Sequence, residues 1–177
     1  MTETFYALFD TAMGEGGIAW GKDGVIAAAF PGPDAEAARA YLGRRAPGAV
    51  EAEPSEDIAR IIADIAALFD GVKRDLSYAR LDWTGVPDFD REVLALTLKI
   101  MPGETKSYGE LARALGDVAL SQRVGQALGR NPFAPIVPCH RVVGADGKLT
   151  GFSAPGGVEA KRRLLKIEGA LAPDLFD

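Results

Sequence analysis

The chain contains a single cysteine and a single histidine, and the two are neighbours, Cys139 and His140. A thiolate is the reactive form of cysteine, and histidine is the side chain that most readily takes up a proton near neutral pH. A free cysteine is often only a small buried apolar side chain. Here, however, the cysteine follows Pro138 directly and has a base beside it. The sequence therefore places its chemistry at this pair.

An extended chain would point the two side chains to opposite sides, so His140 would not take the Cys139 proton directly. A bridging water would solve this, with a carboxylate behind the imidazole to fix its tautomer, as in a catalytic triad. Glu168 is the candidate carboxylate. Lys161 lies seven residues before it, two helical turns earlier and on the same helix face. Taken alone, both would be surface charges.

Size and composition limit the classes of protein. With 177 residues and 47% hydrophobic content, the chain can bury the core of one domain or of two small ones. One cysteine excludes an internal disulfide and leaves a zinc site short of ligands. The sequence has no signal-peptide pattern at its start and no apolar run of about 20 residues. We therefore expect a soluble cytoplasmic protein with no metal, no cofactor and no membrane partner.

The charge is unevenly distributed, although the net charge is only −5. Residues 1–98 hold 9 Lys and Arg against 17 Asp and Glu, a net charge of −8. Residues 99–169 hold 11 Lys and Arg against 6 Asp and Glu, a net charge of +5. If the protein contacts phosphates, this asymmetry predicts that the second half provides the contacts.

Short apolar runs between glycine-rich turns predict an antiparallel meander at the start of the chain. Asp34 is the expected N-cap of a helix that ends near Arg45, and Ser55 begins a second helix with apolar residues at helical spacing. A last extended piece precedes a linker at residues 85–87. The predicted strands are residues 5–10, 17–20 and 25–30, with the extended piece at 79–83.

The second half is predicted to be mostly helical. Ser107 and Glu110 match a capping box at the start of a short helix, and a glycine turn leads into the next. Two short helices joined in this way suggest a helix-turn-helix, although the pattern alone is weak. Asp146 and Gly147 favour a small hairpin. The expected helices are residues 89–100, 107–115, 118–129 and 158–167, and the hairpin strands are 141–143 and 149–152.

These elements predict an α/β protein of the α+β type in two domains. Residues 1–84 would form a small antiparallel sheet with helices. Residues 88–170 would form a helical domain that contains the helix-turn-helix and the reactive cysteine.

Three motifs carry a resemblance to a known family. They are Pro-Cys-His-Arg-Val at 138–142, Arg-Asn-Pro at 130–132 and Gly-Glu-Thr-Lys-Ser-Tyr-Gly-Glu-Leu-Ala at 103–112. In these motifs the chain resembles the methylated-DNA–protein-cysteine methyltransferases, the 6-O-alkylguanine-DNA alkyltransferases of direct DNA repair. The likeness covers about residues 89–169 and is looser in the first half, where residues 5–11 fit the family's opening strand.

The resemblance implies a ribonuclease-H-like first domain and a winged-helix-like second domain. It also implies that a monomer acts on double-stranded DNA and flips an alkylated guanine out of the stack. Cys139 would then take the alkyl group permanently, so that each molecule acts once. The substrate would be 6-O-alkylguanine, with 4-O-methylthymine as a further candidate.

The resemblance also implies roles for individual residues. His140, acting through a water, and Glu168 would activate the thiol. Asn131 would brace the turn, and Tyr108 and Lys161 would assist the departing base. The implied pocket residues are Leu128, Val142, Phe152 and Ser153, and the implied DNA contacts are Tyr108, Ser121, Gln122, Arg123, Arg130 and Arg141.

The chain departs from the family pattern at three places. In the family, an arginine fills the space left by the flipped base. The position of that arginine aligns with Gln122 in this chain, and Arg123 follows one position later, about 100° around the helix. Phe152 replaces the usual tyrosine. Residues 154–155 look like an insertion in the loop over the pocket. These departures leave open which side chain enters the DNA and which alkyl groups fit.

Three other functions compete with this interpretation. An alkyltransferase-like protein would bind the lesion without transfer, but such relatives lack the reactive cysteine. A Cys-His acyl hydrolase would need an oxyanion hole and would not require a helix-turn-helix. A DNA-binding regulator would leave the grouping of Cys139, His140 and Glu168 unexplained.

Overall fold

A four-stranded sheet occupies the first part of the chain. In the computed structural model, which describes residues 2–172, three consecutive strands form the predicted antiparallel meander. A short fourth strand pairs in parallel with the first, which gives the order β3-β2-β1-β4 and was not predicted. The strands are β1 Phe5–Thr11, β2 Gly14–Gly21, β3 Gly24–Gly32 and β4 Val50–Glu51.

Gly24 makes the close turn between β2 and β3. Its φ is +119°, and a Cβ there would lie 2.5 Å from the Arg80 carbonyl oxygen, so a side chain would both strain the backbone and clash. The close approach lets the Val25 N–H donate to Arg80 and the Asp82 N–H donate to Val25, each at 2.8 Å. The extended piece predicted at 79–83 therefore lies along the free edge of β3.

The two faces of the sheet have different coverings. On one face, Ala19 and Ala27 pack with Ala38 and Leu42 of a helix, because small side chains let the helix come close. On the other face, larger apolar side chains join a second helix and the second half of the chain in one core. The two helices are α1 Ala35–Arg45, capped by Asp34, and α2 Glu56–Phe69.

The second half is mostly helical, as predicted. The second helix of the helix-turn-helix begins at Ser121, after a separate 3-10 turn at Val118–Leu120, and the helix predicted to reach residue 100 ends at Thr97. Two short strands pair in parallel beside these helices. The elements are α3 Asp88–Thr97, β5 Lys106–Ser107, α4 Tyr108–Ala114, α5 Ser121–Gly129, β6 Val142–Val143 and α6 Gly157–Ile167.

The predicted hairpin around Asp146 and Gly147 is wrong. Strand β6 pairs with β5 from earlier in the chain, and residues 149–152 form no strand. Asp146 and Gly147 both have positive φ within a 3-10 turn, which closes with a bond from the Gly144 N–H to the Lys148 carbonyl at 2.7 Å. Asp146 and Gly147 do form a turn, but this turn closes a loop and does not join two strands.

The predicted fold class is confirmed, with an antiparallel sheet in the first half and helices in the second. One apolar core contains residues from both halves, and Phe30 of β3 packs edge-on against Phe152 at 5.4 Å between ring centroids. The boundaries 1–84 and 88–170 stay a prediction. Among residues 2–172, no helix has the length and apolar character needed to cross a membrane.

Candidate active site

Cys139 begins a 3-10 turn, Cys139–Arg141. Its N–H donates to the Val137 carbonyl, and the Arg141 N–H donates to the Pro138 carbonyl, both at 2.8 Å. The expectation that Cys139 and His140 lie in an extended segment is therefore wrong. The turn leaves the thiol half-buried on the wall of a cavity of about 750 Å³ and puts the imidazole in the interior.

His140 and Glu168 form a buried pair, each 1% exposed, with His140 Nε2 2.9 Å from Glu168 Oε1. Burial lowers the pKa of His140, and Glu168 only partly opposes this, so the imidazole is neutral near pH 7. Burial alone would raise the pKa of Glu168, but hydrogen bonds from His140 and Arg141 outweigh it and hold the value at about 2. The His140 nitrogen that faces this carboxylate must carry its proton, which leaves Nδ1 free to accept one.

Arg141 is buried behind this pair. Its Nε and Nη2 donate to the two oxygens of Glu168 at 3.0 and 2.6 Å, and its Nη1 donates to the Ile100 carbonyl at 2.6 Å. The prediction that Arg141 contacts DNA is wrong, because its guanidinium has no exposed face to offer. Arg141 fixes the position and the charge of Glu168.

Lys161 is also buried, at 1% exposure, so the interpretation of Lys161 and Glu168 as surface charges is wrong. Its Nζ donates to the Thr150 carbonyl at 3.1 Å and lies 5.8 Å from the centre of the Tyr108 ring. The Tyr108 hydroxyl donates to the same carbonyl at 3.3 Å. The two side chains predicted to assist the departing base therefore meet at one point of the loop before α6.

The thiol of Cys139 is neutral at rest. Burial raises its pKa, while hydrogen bonding with Asn131 and the charge of Lys161 lower it in part. Burial in turn lowers the pKa of Lys161. A neutral thiol beside a neutral imidazole needs a base to become a nucleophile, and the free Nδ1 of His140 can serve as that base.

Asn131 links the end of α5 to the turn. Its side-chain N–H donates to the Val137 carbonyl and its side-chain oxygen accepts from the Phe133 N–H, both at 2.9 Å. Both amide ends therefore form hydrogen bonds inside the segment that leads to Cys139.

The cavity beside Cys139 has walls from both halves of the chain. Leu128, Phe152 and Ser153, three of the four residues assigned to the substrate pocket, line it together with Tyr108. Val142 does not line it, because this residue is fully buried in β6, so its assignment to the pocket is wrong. No sequence pattern indicated the opposite wall, which consists of β3 and α1 residues: Ala28, Ala29, Phe30, Gly32, Ala37, Ala38, Tyr41, Arg44 and Arg45.

Comparison with known proteins identifies the family. Residues 88–170 match the family described as "6-O-methylguanine DNA methyltransferase, DNA binding domain". A methylated-DNA–protein-cysteine methyltransferase of Methanothermobacter thermautotrophicus is 34% identical over 153 residues, which cover 86% of this chain and 78% of that protein. The chain belongs to the methylated-DNA–protein-cysteine methyltransferase family. The relative from Mycobacterium tuberculosis is 50% identical over 100 residues, so that match spans 55% of this chain and 59% of the relative.

Solved structures extend the likeness to the whole fold of this methyltransferase family member. The crystal structure of Mycobacterium tuberculosis O6-methylguanine methyltransferase has a TM-score of 0.73 at 34% identity and covers 98% of this chain and 99% of its own. A structure of the Mycobacterium tuberculosis protein in complex with DNA has a TM-score of 0.71 at 33% identity, with 98% of this chain and 99% of its own covered.

Four of the predicted DNA-contact residues of this family member lie on α5 or at its end. Gln122 and Arg123 are exposed, and the Arg123 guanidinium lies 4.1 Å from the centre of the Phe89 ring on α3. Ser121 donates its hydroxyl to the Val118 carbonyl at 2.6 Å. Arg130 makes two 2.8 Å hydrogen bonds to the buried carboxylate of Asp90. The side chain of Gln122 therefore remains available to a partner outside the protein.

Proposed function

We propose that this protein repairs DNA by moving the alkyl group of 6-O-alkylguanine irreversibly to Cys139. The observation that carries the proposal is the half-buried thiol on the wall of a large cavity, with the paired His140 and Glu168 behind it. Family membership supports the same reaction. The likeness to a protein solved with DNA supports DNA as the partner.

The proposed reaction displaces guanine at the alkyl carbon. A C–S bond forms at Cys139 while the C–O6 bond of the base breaks. The thiol proton passes to Nδ1 of His140 through a bridging water, and Glu168 stabilises the imidazolium. Tyr108 and Lys161, which meet at Thr150, deliver a proton to the departing guanine. The products are an S-alkyl cysteine and unmodified guanine, so atoms and protons balance without a cofactor.

The same chemistry makes the protein act once. A thioether offers no good leaving group, so the alkyl group is not readily displaced from Cys139. The alkylated molecule therefore stays alkylated. One protein would be consumed for each lesion repaired.

DNA binding would use the exposed face of α5. We propose that a monomer binds double-stranded DNA with Ser121, Gln122 and Arg123 towards the duplex and extrudes the alkylated nucleotide past Tyr108. Extrusion costs a few kcal/mol and less where the alkyl group has already weakened pairing. Arg130 would contact DNA only by using the exposed part of its side chain, because Asp90 occupies its guanidinium.

The test is Cys139→Ala, assayed with a duplex that carries a labelled 6-O-methylguanine. Loss of all label transfer is expected, with an unchanged Kd for the lesion-bearing duplex. A variant that still removed the methyl group from guanine would refute Cys139 as the acceptor. The wild type also separates the alternatives, since a lesion-binding protein would retain the label on DNA and a hydrolase would turn over repeatedly on an acyl ester.

A further inference from the structure

The last turn of α1 forms part of the rim of the cavity that holds Cys139. Arg44 and Arg45 both line this cavity and are both exposed. Leu42 buries another side of α1 against the sheet, so the helix cannot shift without losing this packing. The position of the two arginines at the rim is therefore fixed by the fold of the first half.

Within residues 2–172, Arg44 and Arg45 are the only Lys, Arg, Asp or Glu side chains that line this cavity. Neither of them forms an ion pair with another residue of that range. Arg39 of the same helix, by contrast, pairs with Glu36. Both cations therefore stand at one rim in a half whose net charge is −8.

The ring of Tyr41 supports one of these cations. The Arg45 guanidinium carbon lies 5.0 Å from the centre of the Tyr41 ring, within the range of a cation–π contact. Tyr41 also lines the cavity. The contact restricts Arg45 at the rim and reduces the entropy that the side chain would give up on binding an anion.

An extruded nucleotide brings anions to this rim. It stays linked to the strand through its two flanking phosphates, so these must lie near the opening when the base reaches Cys139. Arginine recognises phosphate oxygens through paired N–H donors. Cations in the last turn of a helix also interact favourably with the helix dipole, but this effect does not depend on facing the cavity.

We propose that Arg44 and Arg45 bind the phosphates that flank the extruded nucleotide, so that the first half of the chain also holds the DNA. The inference rests on the proposed function. The first half would then add phosphate contacts to those that the charge distribution predicts for the second half.

The test measures how the binding constant for a lesion-bearing duplex depends on salt, in a Cys139→Ala background that prevents transfer. For Arg44→Gln with Arg45→Gln, the slope of log K against log[salt] should become shallower by about 0.9 for each phosphate that is no longer neutralised. The pair Arg44→Lys and Arg45→Lys should retain most of the slope. Arg39→Gln, on the same helix but paired with Glu36 and outside the cavity, should leave the slope unchanged.

An unchanged slope in the double glutamine variant would overturn the inference, as would an equal change in Arg39→Gln, since that would reflect only net charge. With a lesion-free duplex, the double glutamine variant should change the slope less, because no nucleotide is extruded. An equal change with that duplex would also contradict the binding of flanking phosphates by Arg44 and Arg45. Label transfer by the wild type keeps the two hypotheses separate. Without transfer the proposed function fails, whereas transfer with an unchanged slope refutes only the role of Arg44 and Arg45.

Discussion

The turn at Cys139–Arg141 and the helix α5 use their polar side chains in opposite ways. At the turn, His140 and Arg141 are buried and bonded to one carboxylate, Glu168, at distances of 2.6–3.0 Å. On α5, Gln122 and Arg123 are exposed, and Arg123 rests on the ring of Phe89 without a carboxylate partner in residues 2–172.

The difference indicates which properties can be changed separately. Buried charges are costly to leave unpaired, so the turn and α6 behave as one unit whose stability and chemistry are linked. Exposed side chains on α5 contribute little to folding. Substitutions there should therefore change the proposed affinity for DNA and leave the stability unchanged. Substitutions at the two regions should therefore fail in different ways.

Glu168→Gln should have the largest effect on stability. It leaves the buried Arg141 without its carboxylate, which costs about 3–5 kcal/mol of unfolding free energy when one partner of a buried pair is removed. Urea denaturation measures the loss. Glu159→Gln is the matched control on α6, because its side chain is 82% exposed and a change within about 0.5 kcal/mol is expected there. Equal stability of the two variants would contradict the claim that the buried pair of Glu168 and Arg141 stabilises the fold.

The pH dependence of stability should depend on the same carboxylate. The folded-state pKa of Glu168, about 2, lies below its ordinary value of 4.5, so the unfolded state takes up the proton first as the pH falls. The stability it contributes is complete above about pH 4.5 and is lost towards pH 2, by about 3 kcal/mol. Denaturation curves across this range should show a smaller loss in Glu168→Gln. An equal loss of stability in the wild type and in Glu168→Gln would contradict the lowered pKa of Glu168.

His140→Gln should slow the reaction without weakening DNA binding. Loss of the base is expected to lower the transfer rate by at least about 100-fold. Because burial lowers the pKa of His140 below its ordinary value of 6.5, the decline of wild-type transfer with falling pH should occur below pH 6.5, and the variant should lack this decline. Single-turnover label transfer across pH measures both effects. A wild-type rate in the variant would remove His140 from the mechanism.

Gln122→Arg should have the smallest effect and act on affinity alone. The added guanidinium can fill the space left by an extruded base, so binding to lesion-bearing duplex should tighten several-fold while the transfer rate at saturation stays the same. Gln126→Arg places the same charge on an exposed position one turn later on α5. It should tighten binding to lesion-bearing and lesion-free duplex equally. Unchanged or weaker binding by Gln122→Arg would contradict the proposal that the side chain at position 122 fills the space left by the extruded base.

Local signals predicted most elements and the centre of the site. The rarity of Cys139 and His140 indicated the pair on which the proposed function rests, and helical spacing put Lys161 and Glu168 on one face near the end of the chain. The features of the site that the sequence did not predict depend on distant contacts. Arg141 is buried because its partners are Glu168 and the Ile100 carbonyl, 27 and 41 residues away.

The errors have the same origin. A turn signal at residues 146–147 indicates a reversal of the chain but not which strand will pair, and β6 found its partner at Lys106–Ser107. The part of the cavity wall that α1 contributes depends on the packing of α1 against alanines of the sheet, and no sequence motif indicates this packing. Charge counted along the sequence likewise does not show that Arg44 and Arg45 line the cavity.

Intact-protein mass spectrometry, after mixing with an equal amount of 6-O-methylguanine duplex, tests the central claim most directly. We expect one added methyl group on each protein molecule per lesion, located on the peptide that contains Cys139, and none in Cys139→Ala. An unmodified protein beside repaired DNA, or more lesions repaired than protein molecules present, would contradict it.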